Sequence, residues 1–225
     1  LAAPALDFLS PDIYMRDDLR YRAVLDHYAR PDNALFVSEV GSDAEYARYF
    51  FETLGKGAIG FSPFGIDYTG YSNYPLGAES IDPESLAPFA ANYGLLEPFA
   101  HEWARLAFER AVTGAARPDD GADRQLDLGR WHATVSFDDW QFGLQEWLEK
   151  GQARTPAQNA GALVAALGDD TFLVTGRNAR VTFELPPARA GEHLIFKAVD
   201  EVAFVDGEWR VRRRWNGDQV DWGLN

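Results

Sequence analysis

No cysteine occurs among the 225 residues. That absence removes disulfides, thiolate metal sites and cysteine nucleophiles together. Basic residues are also scarce: 21 Lys and Arg stand against 35 Asp and Glu, for a formal charge of −14. Nucleic acid and anionic membrane surfaces both demand a basic footprint, so neither is expected as a partner. No apolar run approaches the roughly 18 residues of a membrane span. Leu1 stands where an initiator Met would, with no charged-then-apolar leader behind it, so no signal peptide is expected in this stretch. What the chain has in quantity is aromatic side chain, 14% of the total, and six of its seven tryptophans follow residue 115.

The length suits one large domain or two small ones. The segment Ala115–Arg124, rich in Pro, Gly and Asp, reads as a linker. It divides an α/β region, 1–114, from a mainly β region, 125–225. In the first region the apolar run Ala5–Leu9 is followed by a helix from about Asp17 to Ala29, halted by Pro31. Ala34–Val37 is a strand of the kind buried on both faces. Ser42-Asp-Ala-Glu45 matches a capping box for a helix reaching Leu54. Gly57–Ser62 is a third buried strand, and Asp82-Pro83 and Glu97-Pro98 each suit a helix start, the second helix running to about Val112. The order βαβαβα implies parallel strands. In the second region Thr155-Pro156 opens a short helix ending at Gly168. After it come strands at Thr171–Thr175, Ala179–Leu185, Leu194–Val205 and Glu208–Trp215. Asp206-Gly207 marks a hairpin turn, and Asn216-Gly217 another turn.

Several patterns fail on their chemistry. His101-Glu102 opens like a zincin helix, but Arg105 stands where the second His must share the metal. Gly60-Phe-Ser62-Pro-Phe64 resembles a nucleophile elbow whose second Gly is replaced by Phe. Asp119-Asp120-Gly121-Ala-Asp123 lacks calcium-loop spacing and reads as solvated linker. No metal and no cofactor are expected.

What survives is Glu39, a carboxylate closing the apolar run Ala34-Leu-Phe-Val. Sites in α/β proteins are built at the C-terminal ends of parallel strands. The plainer reading is a carboxylate serving the next helix N-terminus. Around it lie Tyr14, Phe61, Phe64, Asp67, Tyr71 and Tyr74, aromatics with interspersed acids, a combination that suits sugars. Three strands are too few for a (β/α)₈ barrel of about 250 residues. They form either a small open sheet or the last part of a larger barrel.

The motifs Asp7-Phe-Leu-Ser-Pro-Asp-Ile-Tyr14, Asn33-Ala-Leu-Phe-Val-Ser-Glu39 and Gly57-Ala-Ile-Gly-Phe-Ser-Pro-Phe-Gly-Ile-Asp67 closely resemble the last three strands of bacterial β-galactosidases of glycoside hydrolase family 35. The stretches Gly161–Gly176 and Gly207–Gln219 resemble the β-rich domain that follows the barrel in one branch of that family. Ala34 departs from the Asn-Pro expected there, and no Asn-Glu dipeptide, the family's acid/base motif on strand four, occurs in the chain.

The resemblance implies the last three βα units of a TIM barrel followed by an antiparallel β-sandwich-like domain. It also implies a retaining mechanism, in which Glu39 is the nucleophile and Tyr14 its supporting donor. Phe61 and Phe64 would wall the galactose pocket, with Asp67 accepting a sugar hydroxyl. The substrate would be a β-galactoside oligosaccharide or polysaccharide. The acid/base would come from the missing N-terminal part of the barrel, so the chain alone should not hydrolyse.

Two competing readings stay open. In one the β region is a non-catalytic carbohydrate-binding or structural module, with Trp131, Trp140, Trp147, Trp209, Trp215 and Trp222 as its candidate face. In the other the first region is a stand-alone three-stranded protein, which would leave apolar strands on an open edge. Arg210, Arg212 and Arg214 read as a solvated sheet face.

Overall fold

The computed structural model describes residues 6–67, 69–109, 111–137, 158–185 and 195–215. The first region is a three-stranded parallel sheet in the order β1 (Asp12–Ile13), β2 (Phe36–Val40), β3 (Gly60–Pro63). Asp12 is level with Glu39, and Phe36 with Gly60. The expected parallel order therefore holds, with shifted bounds. Ala5–Leu9 was expected to open the sheet, yet the described residues 6–9 form no strand. Leu6, Phe8 and Leu9 stay exposed, and the Asn33 side-chain amide clasps the Leu9 backbone from both sides (2.7 and 3.0 Å).

Helix α1 (Asp18–Tyr28) starts where Asp17 caps the Arg20 amide. The capping box at Ser42 does not form. Ala44–Arg48 is a 3₁₀ turn, Ser42 accepts the Ala78 amide, and Glu45 goes to Arg16, so tertiary partners outbid the local pair. Helix α2 (Tyr49–Gly55) follows directly. At Asp82 the local signal does hold: Asp82 caps the Ser85 amide while Ser85 caps Asp82, opening α3 (Pro83–Leu96). Helix α4 (Ala100–Phe108) stops short of Val112.

Val112 instead begins β4 (Val112–Ala116), so the supposed linker starts inside a buried strand, with Ala115 1% exposed. Strand β4 pairs antiparallel with β7 (Gly161–Gly168), which pairs with β8 (Thr171–Arg177). A second antiparallel sheet joins β5 (Arg124–Leu128), β6 (Trp131–Ser136) and β9 (Arg180–Glu184). The hairpin β10 (Val199–Val205) and β11 (Glu208–Trp215) turns at Asp206 and Gly207, both at positive φ (54° and 82°), as its turn signal requires. From Gly161 onward the expected helix up to Gly168 is thus a strand. Thr155-Pro156 and Asn216-Gly217 lie outside the described residues.

Strand β7 is the hinge of the packing. Leu163 and Ala165 join Phe51, Phe61 and Trp103 in a core shared with the parallel region, while Ala162 and Val164 join Leu126 and Val135 in the core between the two antiparallel sheets. A strand buried on both faces reads as a continuous apolar run, which is why alternation did not reveal it. Close approach makes this possible. A Cβ on Gly161 would sit 2.2 Å from the Phe51 ring, and one on Gly114 would sit 2.6 Å from the Phe51 carbonyl oxygen.

Candidate active site at the ends of the parallel strands

Tyr14 follows the last residue of β1 and Glu39 is the penultimate residue of β2, so both come to the C-terminal end of the sheet. There the Tyr14 hydroxyl donates to Glu39 Oε2 at 2.8 Å, joining two residues 25 positions apart. Burial, then the hydrogen bond and charge of Glu39, push the Tyr14 phenol far above its ordinary range. The Asp12 charge acts in the same sense, and a hydrogen bond from Asn73 opposes them. Tyr14 therefore keeps its proton and serves as a donor to a carboxylate. A carboxylate held this way can attack an electrophilic carbon or take up a proton. Asp12, beside it, is engaged by Ser38 Oγ at 2.8 Å.

The other expected site residues fare differently. Phe61 is 5% exposed, packed edge-on to Phe50 and stacked on Phe89, with its carbonyl taken by the Tyr93 hydroxyl. It is a core residue among the described ones, packed away from solvent. Phe64 is half-buried and meets the exposed Tyr71 edge-on at 6.1 Å. Asp67 is exposed and closes its own loop through the Thr69 hydroxyl and amide, which hold its carboxyl below the usual range. Tyr74 lies exposed on the same loop. That loop is drawn to the strand ends by the Ala78 amide on Ser42 and by Asn73 on Tyr14.

Sequence reading missed a polar network behind Tyr14, buried at Tyr46 and Arg48 and open to water at its rim. Tyr46 donates to the Tyr14 carbonyl at 2.7 Å, and Arg16 spans Asp43 and Glu45. Arg48, 2% exposed, pairs with Asp119 at 2.5 Å. Asp119 lies in an exposed turn, as a solvated linker residue would, with its side chain 48% exposed, yet it also meets Arg48 across 71 positions, and no local pattern announces a contact of that range.

Outside this area, Arg105 forks between Glu102 and Glu109, which accounts for the failed zincin pattern. Among the described residues no group of three or more His, Asp or Glu is placed to hold a metal ion, and no helix is long and apolar enough to cross a membrane. Of the tryptophans, Trp131, Trp209 and Trp215 are half-buried. Trp131 donates to the Asp169 carbonyl and to Asp170, Trp209 packs between Phe99 and Phe204, and Trp215 lies under Arg213. Trp140, Trp147 and Trp222 lie outside the described residues. Arg210 and Arg214 pair with Asp206 and Asp200 on an exposed face, and Arg212 shares that exposure.

No curated protein matches this chain. A family model matches residues 89–225, from inside α3 through both antiparallel sheets and onward, so Tyr14 and Glu39 stand outside the matched segment and Asp119 within it. By that match over more than half of its length, the chain belongs to the family described as a domain of unknown function, DUF5597.

Proposed function

We propose that this chain is the nucleophile-bearing part of a retaining β-galactosidase resembling glycoside hydrolase family 35. On this reading it comprises the last three βα units of a (β/α)₈ barrel and the β domain that follows. The observation that carries the reading is the Tyr14–Glu39 hydrogen bond at the C-terminal end of parallel strands. Two features support it. Among the described residues β1 and β3 each pair on one side only, and Leu6, Phe8, Leu9 and Ile59 lie exposed in this region, where further barrel units would cover them.

In the proposed reaction the Glu39 carboxylate attacks the anomeric carbon. The bond to the leaving oxygen breaks as that oxygen takes a proton from an acid, and the product is a glycosyl ester on Glu39. Water, deprotonated by the same acid/base group, then cleaves the ester and releases galactose. Tyr14, kept protonated, holds one carboxylate oxygen so that the other faces the sugar. The acid/base must face Glu39 at about 5–5.5 Å. The chain has no Asn-Glu motif to supply it, so it is assigned to a barrel segment carrying strand four.

The test is an aryl β-galactoside assay of the chain alone and with that barrel segment supplied in trans. No turnover is expected from the chain alone. Turnover is expected from the reconstituted pair, and Glu39→Gln should lower it by at least about 10⁴-fold, as loss of a nucleophile does. Hydrolysis by the chain alone, or a Glu39→Gln pair within a few-fold of wild type, would show that other carboxylates do the work.

A further inference from the structure

The stretch from the end of β1 to the first residue of α1 carries Tyr14 and is pinned at every second residue. The Tyr14 carbonyl accepts from the Tyr46 hydroxyl at 2.7 Å. The Arg16 carbonyl accepts from Arg48 Nη2 at 3.0 Å and from the Tyr49 hydroxyl, while the Arg16 side chain is taken by Asp43 and Glu45. The Asp18 amide donates to Asp119 Oδ2 at 3.1 Å, and the Asp119 amide returns a bond to Asp18 Oδ1 at 3.4 Å.

Two of these three fastenings lead to one residue. Asp119 takes the Asp18 amide on one oxygen and Arg48 on the other, at 2.5 Å. Arg48 in turn reaches the Arg117 carbonyl at 3.0 Å, lies over the Tyr49 ring, and rests on a buried Tyr21–Tyr49 stack 3.8 Å apart. A guanidinium has five donors in a rigid plane, so a buried one oriented from one side is fixed on the other. Arg48 therefore transmits the position of Arg117–Asp119 to the Arg16 carbonyl, two residues from the phenol that holds Glu39.

We propose that the family-matched domain serves the site directly: Asp119 is a positioning residue that, through Arg48, sets the Tyr14 hydroxyl against Glu39. This assigns the domain of unknown function a task other than binding, that of clamping the loop on which the donor stands. The proposal rests on reading Tyr14 and Glu39 as the working pair. Its test reads that pair without substrate, so a failed hydrolysis assay and a failed clamp are separate results.

The experiment uses the 225-residue chain labelled with ¹³C at tyrosine Cζ, with the Tyr14 resonance assigned by its loss in Tyr14→Phe. Glu39→Gln defines how far that resonance moves when its acceptor changes. Asp119→Asn is expected to move it by at least about half as far. Asp119→Glu should bring it most of the way back, and Asp120→Asn, next door and exposed, should leave it in place. A residue acting on stability alone would shift the melting temperature and not this resonance. Asp119→Ser, which likewise takes the carboxylate from Arg48, supplies a second reading if Asp119→Asn does not fold, and is expected to move the same signal. An unmoved Tyr14 resonance in either folded variant overturns the proposal.

Discussion

The ends of the parallel strands and the β10–β11 hairpin use carboxylates in opposite ways. In the antiparallel region Asp200, Glu201 and Asp206 pair with arginines on the surface of a single hairpin. Each pair is local, exposed and of small energetic consequence. In the parallel region Glu39, Asp43, Glu45 and Glu52 are drawn to partners on other elements and are partly or wholly buried. The difference follows from topology. A hairpin brings sequence neighbours together and leaves one face wet, whereas parallel strands gather distant segments at one end of the sheet. Chemistry needs groups held against water and against one another, and only the second arrangement supplies that.

The two regions nevertheless share one core, and the sharpest way to break the comparison is at Arg48. Replacing it with Met removes a donor from the Arg117 and Arg16 carbonyls and takes from Asp119 its cation, leaving the Arg16 carbonyl to Tyr49 alone. It should cost about 3 kcal/mol, a fall in Tm of roughly 6–12 °C for a chain of this size. Calorimetry should still show a single transition, because β7 belongs to both cores. Two separated transitions would show that the regions fold apart.

A smaller effect tests the close approach itself. Gly161→Ala drives a methyl into the Phe51 ring and should cost about 1–3 kcal/mol by overpacking. Gly168→Ala, at the far end of the same strand with nothing within 4 Å of the new atom, should stay within about 0.5 kcal/mol. Equal losses in urea titration would mean that β7 does not lie against α2.

The smallest effect lies in pH dependence. Burial pushes the Glu52 carboxyl above its ordinary value of 4.5, against a hydrogen bond from the Ala116 amide. A carboxyl whose folded value is raised binds its proton more tightly when folded, so its ionisation weakens the fold as pH rises. The stability of Glu52→Gln relative to wild type should therefore improve over a window that opens near 4.5 as the pH rises. A difference that stays flat across this window would place Glu52 in contact with water.

How much was legible beforehand depended on the range of the interaction. The Asp206-Gly207 turn and the Asp82–Ser85 cap could be read because each is decided within four residues. Both recur in the structure. The parallel order of β1, β2 and β3 followed from short connections, and the pairing of Tyr14 with Glu39 came from the family resemblance, which sets both at neighbouring strand ends. The capping box at Ser42 failed because Ala78 and Arg16, neither near in sequence, claimed its members. The family resemblance implied that Phe61 walls a pocket, and an aromatic within a strand looks the same whether its face points out or in. Packing against Phe50 and Phe89 turned it inward.

By itself, then, the sequence determined a chain without thiol chemistry, with an acidic surface, three parallel strands, a hairpin-rich second half and a carboxylate closing an apolar strand. Each of these rests on composition or on contacts within one element and its neighbour. Only the tertiary structure decided that β7 is a strand, that the linker begins as β4, and that Asp119 holds Arg48. A strand with two buried faces shows no alternation, and an ion pair spanning 71 positions leaves no periodic trace. Such features exist only once the chain has closed on itself.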